Sequence, residues 1–248
     1  MKFRFKMFRM HLAASATVLT LVLGALYLGW YHWPGWYLAV VTRVVVVMAC
    51  VDVALGPALT LVIANPAKER RTLARDLAVI IAVQLLALGY GSVQLWKGRP
   101  LYYAFSGDIL QLVQAYDLDP TEVQLARDEN PDFAPHWYSL PRWIWAPEPI
   151  QAAGAAAAAT ATRPDYSTMP RYYRSWGAGK AELRRKLRPV DAWNFFIFNE
   201  KDALKARMRA DGLHPDERNS IPMTGRGRPL LVVFEPETLK ILAIIKPR

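Results

Sequence analysis

The chain has 248 residues, a formal net charge of +10 and 53% hydrophobic residues, but the apolar content is unevenly spread. Residues 12–96 hold three long apolar runs and residues 97–248 read as ordinary soluble protein, which excludes a wholly water-soluble fold. Residues 1–96 carry a net +6 and residues 97–248 a net +4, so more than half of the excess flanks the apolar runs, which argues against nucleic-acid binding.

The first apolar run covers residues 12–30. At 1.5 Å per residue it spans ~28 Å, close to the thickness of a hydrocarbon core. Lys2, Arg4, Lys6 and Arg9 precede it, so a signal peptide is the rival reading. The run is longer than a usual signal h-region. It also ends in Tyr27, Trp30, Tyr31 and Trp33 rather than in a small-x-small cleavage site, which reads as a membrane span closed by an interfacial aromatic belt. Pro34 and Gly35 turn the chain. A second run covers about 38–64 and stops at Asn65 and Pro66, followed by Lys68, Arg70, Arg71 and Arg75. A third covers 77–96 and closes with Lys97, Gly98, Arg99 and Pro100. The first connecting loop, 31–37, has no Lys or Arg, so both basic clusters fall on one side. Basic flanks mark the cytoplasmic face, which puts the N-terminus inside and, after three spans, residues 97–248 outside. The expected architecture is an N-terminal three-helix transmembrane bundle over 1–96 and an extracytoplasmic α+β domain over 97–248.

Two ionisable residues interrupt the second run. Arg43 lies near its outer end, where its side chain reaches the interface. Asp52 lies near the middle, where a charge costs ~2.5–3.5 kcal/mol on insertion scales. The two are ~13 Å apart along a helix and on opposite faces, so they do not form a simple ion pair. With each span centred in the bilayer, Thr20, Asp52 and Gln84 share a depth. Asp52 then either bonds Gln84 or Thr20 and holds the bundle together, or meets a partner's transmembrane helix. Ion conduction has no relay partner to support it. Gly56 and Pro57 follow one turn later and mark a kink, or a groove that accepts another helix.

In the second half, 102–105 and 109–115 read as strands around Ser106, Gly107 and Asp108. Residues 117–150 are rich in Asp, Pro and Trp and read as irregular or partly helical. Trp137, Trp143 and Trp145 suit core or interfacial packing, with a ligand-stacking platform as the alternative. Residues 152–162 are an Ala-rich, low-complexity insertion. Helices are expected over about 180–187, with Leu183 and Leu187 on one face, and over 201–210, with Leu204 and Met208 on one face. Their Lys and Arg residues suit a solvated face, with anionic lipid or an acidic partner as the alternative. The chain closes with strands at 230–234 and 240–245 joined by a loop at 235–238.

No catalytic pattern accompanies this layout. His11, His32, His136 and His214 form no metal-ligand spacing, and no nucleophile elbow occurs. Gly225, Arg226 and Gly227 lead into a strand rather than out of one and lack a P-loop lysine. Cys50, the only cysteine, lies inside an apolar run. Asp108 and Asp165 have no sequence partner for acid–base work. The expectation is a non-enzyme with no cofactor and no metal.

Several short motifs, in order, resemble the type IV pilin accessory proteins of the TfpX/TfpZ kind. They are Asp52 to Pro57 with Leu59, Thr60 and Leu61; Asp76, Leu77 and Ala78; and Gly98, Arg99 and Pro100 leading into the first strand and Asp108. Asp165, the Met169, Pro170, Arg171, Tyr172, Tyr173 segment, Leu187, Arg188 and Pro189, and Ile221 and Pro222 with Gly225 and Arg226 continue the series. Leu239 departs from it, standing where the resemblance leads one to expect glycine in the last hairpin, and Pro247 and Arg248 stand where it has a terminal aromatic. The resemblance implies an inner-membrane accessory protein of the type IV pilus system that works with a particular major pilin, and the charge topology then puts its C-terminal domain in the periplasm. The expected partners are that major pilin, inner-membrane pilus platform proteins, which the layout of helices and outer domain suits, and membrane lipid, while the charge distribution leaves no nucleic acid. A membrane-anchored sensor with a periplasmic ligand-binding domain is the competing class, although the cytoplasmic segments are short for an output module. The candidate contact residues are Thr20, Arg43, Asp52, Gly56, Pro57 and Gln84 in the membrane. Asp108, Asp165, Arg171, Tyr172 and Tyr173 are the candidates in the outer domain.

Overall fold

The computed structural model describes residues 1–147, 165–194, 198–227 and 229–247. It divides into two compact units, Met1–Arg99 and Pro100–Arg248. The Ala-rich stretch at 152–162 lies outside the described residues.

Among the described residues of the first unit, three helices are long and apolar enough to cross a membrane: α1 (Lys2–Tyr31), α2 (Thr42–Ile63) and α3 (Arg70–Lys97). Their outer surface is apolar. Leu21, Leu28, Val62 and Leu86 are each more than 60% exposed, a surface that water disfavours and hydrocarbon suits. α1 and α3 start well before their apolar runs, because the basic segments continue the helix. α2 starts later than its run. Gly35–Leu38 makes a separate single turn, and Val40, at φ 55°, breaks the helix before Thr42. The interior is built from Leu19, Tyr31, Val41, Met48, Leu88 and Leu95. Tyr31, read from sequence as part of an interfacial belt, is instead buried, and its hydroxyl donates to the Leu95 carbonyl at 2.7 Å. It fastens the end of α1 to the end of α3. Gly91 lets α3 approach α2, since a methyl group there would meet Met48 Cγ at 2.7 Å.

The second unit is a mixed sheet with short helices. Among the described residues it has seven strands: β1 (Pro100–Ser106), β2 (Ile109–Gln114), β3 (Arg142–Trp145), β4 (Arg174–Ser175), β5 (Ser220–Thr224), β6 (Leu230–Phe234) and β7 (Ile241–Ile245). Their order is β4-β3-β1-β2-β5-β6-β7. β1 and β2 form a hairpin, with Gly107 at φ 63° in the first loop position, as a type II′ turn requires. β3 lies parallel to β1, and β5 parallel to β2; the remaining neighbours are antiparallel. Among the described residues three α-helices complete the unit: α4 (Pro120–Glu129), α5 (Lys180–Lys186) and α6 (Phe198–Ala210). Asp119 caps α4 by accepting from the Thr121 N–H at 2.7 Å, with Pro120 in the first turn. Leu183 and Leu187 are buried at α5, and Leu204 and Met208 at α6.

One core cluster joins Leu101, Tyr102, Ala104, Val113, Ile144 and Tyr173. Trp143 packs on Tyr103 with ring centroids 4.9 Å apart, and Trp145 lies against Gly179, so both serve packing. Trp137 is 71% exposed.

The last hairpin explains a departure noted in the sequence. Leu239 N–H donates to the Glu235 carbonyl and Glu235 N–H to the Lys240 carbonyl, both at 2.9 Å, and Leu239 takes φ 56°. The position is left-handed, where glycine is the ordinary choice. Leu239 is only 3% exposed, so its buried side chain offsets the strained backbone. Leu239→Gly should relieve ~1–2 kcal/mol of backbone cost but give up ~2–3 kcal/mol of burial. The expected result is a net loss of about 1 kcal/mol, read as a lower unfolding midpoint of the full chain in detergent.

Candidate functional site in the helix bundle

The middle of α2 is not a regular helix. Cys50–Leu55 forms a widened turn in which bonds run five residues back instead of four. Gly56 N–H donates to the Val51 carbonyl in this register. The next acceptor in the same register is the Asp52 carbonyl, and Pro57 has no N–H to offer it. Gln84, from α3, supplies the missing donor: its Nε2 lies 2.9 Å from the Asp52 carbonyl oxygen. Gly56 makes this approach possible. A Cβ at position 56 would overlap the Gln84 side-chain amide.

That bond sets the orientation of everything around it. Because the Gln84 amide nitrogen donates to Asp52, its oxygen faces α1, where His11 Nε2 lies 2.7 Å away. His11 Nε2 therefore carries a proton. His11 Nδ1 lies 2.5 Å from Thr60 Oγ1 on α2, and Gln84 Nε2 also reaches Ser15 Oγ at 3.5 Å. One residue on each helix thus joins a single polar network: His11, Thr60 and Gln84.

The network differs from the expectation in two respects. Gln84 meets the backbone of Asp52 and not its carboxyl group. Thr20 is exposed on the bundle surface and takes no part. Centring each span placed it beside Asp52, but α1 extends back to Lys2 and presents His11 and Ser15 at the level of Gln84 instead. Arg43 is exposed near the start of α2, away from the network. His11, Ser15 and Thr60 were not among the contact candidates, although Thr60 stands in the motif that carries the resemblance. Their signal was spacing: His11 and Ser15 lie four apart, as do Asp52, Gly56 and Thr60, so each set shares a helix face.

The Asp52 carboxyl group is left over. Asp52 is only 4% exposed, and its Oδ2 has no hydrogen-bond partner among the described residues. It lines a cavity of about 150 Å³ together with His11, Ser15 and Gln84.

In the sheet domain, four of the five candidates form a structural lock. Asp165 Oδ1 accepts from the Ser167 N–H at 3.0 Å and caps the turn Tyr166–Thr168. Ser167 Oγ lies 2.6 Å from both Asp165 Oδ1 and Gln111 Oε1 of β2. The buried Tyr173 hydroxyl donates to the Ser167 carbonyl, and its ring meets Tyr102 edge-on at 4.9 Å. Asn130, at the end of α4, aims its amide at the carbonyls of Pro170, Arg171 and Tyr173 at 3.1, 3.2 and 3.0 Å. Arg171 pairs with Glu122 at 3.1 Å and lies over the Tyr172 ring at 4.7 Å. Asp108 stands exposed in the β1–β2 turn and shares no bond with the other four. This arrangement fastens a turn to the sheet and offers no paired acid and base.

The comparisons with known proteins agree with the resemblance. The chain is 24% identical to the fimbrial assembly protein of serogroup I of Dichelobacter nodosus, over 94% of its own length and 91% of the relative's. It is 23% identical to the serogroup E1 protein over the same shares. It is 28% identical to the serogroups C1 and C2 protein over 47% of its own length and 88% of the relative's. This chain resembles fimbrial assembly proteins across both of its units. No family model and no solved structure matches it. The resemblance to type IV pilin accessory proteins is thereby supported by relatives named for fimbrial assembly.

Two predictions follow from the geometry. Gly56→Ala should cost about 1–2 kcal/mol by pushing Gln84 off the Asp52 carbonyl, and close to nothing in a Gln84→Ala background. A double-mutant cycle on unfolding in detergent reads this coupling, and additive losses would refute it. Burial pushes the Tyr173 phenol well above its usual range. Its folded form therefore stays protonated where the unfolded chain ionises, and stability falls as pH rises past ~10. Tyr173→Phe should cost about 1–3 kcal/mol at neutral pH, and the gap to wild type should narrow in alkali. Thermal unfolding at both pH values measures it.

Proposed function

We propose that this chain is an inner-membrane accessory factor of type IV pilus assembly that serves a particular major pilin as a binding partner and not as an enzyme. One observation carries the reading: similarity over 94% of the chain to proteins named fimbrial assembly proteins. The layout supports it. Three apolar helices suit an anchor that meets other membrane proteins within the bilayer. Lys2, Lys6, Arg4 and Arg9 before α1, and Arg70, Arg71 and Arg75 at the start of α3, suit a cytoplasmic N-terminus. In that orientation the sheet domain lies in the periplasm, where it meets the outer part of the same client or the pilus platform.

The test is deletion of the gene followed by counts of surface pili and a twitching assay. Loss of pili that is restored by the full chain is expected. Normal pili and normal twitching in the deletion strain would remove the assignment.

A further inference from the structure

The polar network leaves one group over and one space empty. The cavity beside Asp52 is lined on α1 by His11, Ala14, Ser15 and Val18 and on α3 by Ile81, Gln84, Leu85 and Leu88. Each set runs i, i+3, i+4, i+7, so each is one face of its helix over two turns. Ala14, Val18, Ile81 and Leu85 are exposed on the outer surface of the bundle. α1 and α3 thus each pack on α2 and leave a cleft between themselves, with Asp52 as its floor.

Acyl chains satisfy the apolar walls of such a cleft but carry no hydrogen-bond donor at that depth. The Asp52 carboxyl needs a polar partner in either protonation state, a donor when ionised and an acceptor for its proton when neutral, because it is buried and its Oδ2 is unpartnered among the described residues. Two nearby donors are engaged, the Gln84 amide with the Asp52 carbonyl and Ser15 and the Thr60 hydroxyl with His11, and the Ser15 hydroxyl, which accepts from Gln84, does not bond Asp52 Oδ2. We propose that the cleft receives a transmembrane helix of a partner protein, which sends one donor side chain, a hydroxyl, amide or ammonium, to the Asp52 carboxyl. The cavity of about 150 Å³ is the size of one side chain and not of a helix. The partner helix therefore lies along the rim formed by Val18 and Leu85, and only its donor residue enters. This inference rests on the pilus-assembly reading for the identity of the partner, which is then the pilin.

The experiment places a photo-crosslinking amino acid at Val18 or Leu85 on the rim, and at Leu21 or Leu86, which do not line the cleft, as controls. The full chain is expressed in cells making its pilin, and adducts are probed with antibodies to the pilin and to the chain. Rim positions should give pilin adducts and the control positions at least tenfold less. Asp52→Leu should accumulate like wild type, since Asp52 Oδ2 has no hydrogen-bond partner among the described residues, and should reduce the rim adduct at least tenfold. Asp52→Asn, which keeps an acceptor oxygen, should retain it within about twofold. Failure of Asp52→Leu to accumulate would mean the carboxyl is internal scaffold and overturn the proposal. So would a rim adduct unchanged in Asp52→Leu, or one containing a second copy of this chain. If the rim gives no pilin adduct while gene deletion still abolishes pili, the cleft assignment fails and the pilus-assembly reading stands.

Discussion

In hydrocarbon, a backbone carbonyl with no donor has no water to fall back on. Pro57 creates such a carbonyl at Asp52, and the Gln84 amide answers it. This constraint organises the bundle. Gly56 is small because Gln84 must pass it. The direction of the Gln84 amide fixes which of its atoms faces His11, and His11 in turn reaches Thr60. Apolar packing among Leu19, Met48 and Leu88 brings the helices together, but packing alone is tolerant of rotation. The polar chain fixes how each helix is turned, since every link has a donor and an acceptor in set positions.

The sheet domain obeys different physics, and this affects what resemblance means there. The short motifs shared with pilin accessory proteins sit at its joints. Gly98, Arg99 and Pro100 lead into β1. The segment 169–173 is held to α4 by Asn130. Arg188 exchanges backbone bonds with Ser220 at the start of β5, and Ile221 and Pro222 lie within that strand. Asp165 and Tyr173 act through Ser167 to hold a turn on β2. These residues specify the fold, and none is left as a free chemical group in a cleft. In the membrane unit, by contrast, the motif from Asp52 to Pro57 contains a group that the fold does not use.

The sequence made some of this legible and hid the rest for identifiable reasons. The spans are visible because few other structures need runs of twenty apolar residues. Asp52, Gly56, Pro57 and Gln84 stand out because each is unusual in such a run. Their mode of contact does not, because it depends on a five-residue hydrogen-bond register that residue types do not announce. His11 was missed because it lies just before the first apolar run, although the helix itself continues back to Lys2. β3 was hidden by its length and by the flanking prolines, and β5 by Pro222 within it. At Leu239 the sequence marked the right place, and only the backbone angle gives the reason.

The widened turn in α2 has a further consequence for chain length. Eight residues separate Met48, which packs on Gly91, from Gly56, which packs on Gln84. On a regular helix those two would point ~80° apart, whereas seven residues would bring them within ~20° of each other. The turn Cys50–Leu55 absorbs the difference by holding one residue more than an ordinary turn does. To its neighbours, α2 is one residue shorter than it is in the chain. A relative lacking one residue in this stretch would keep both contacts.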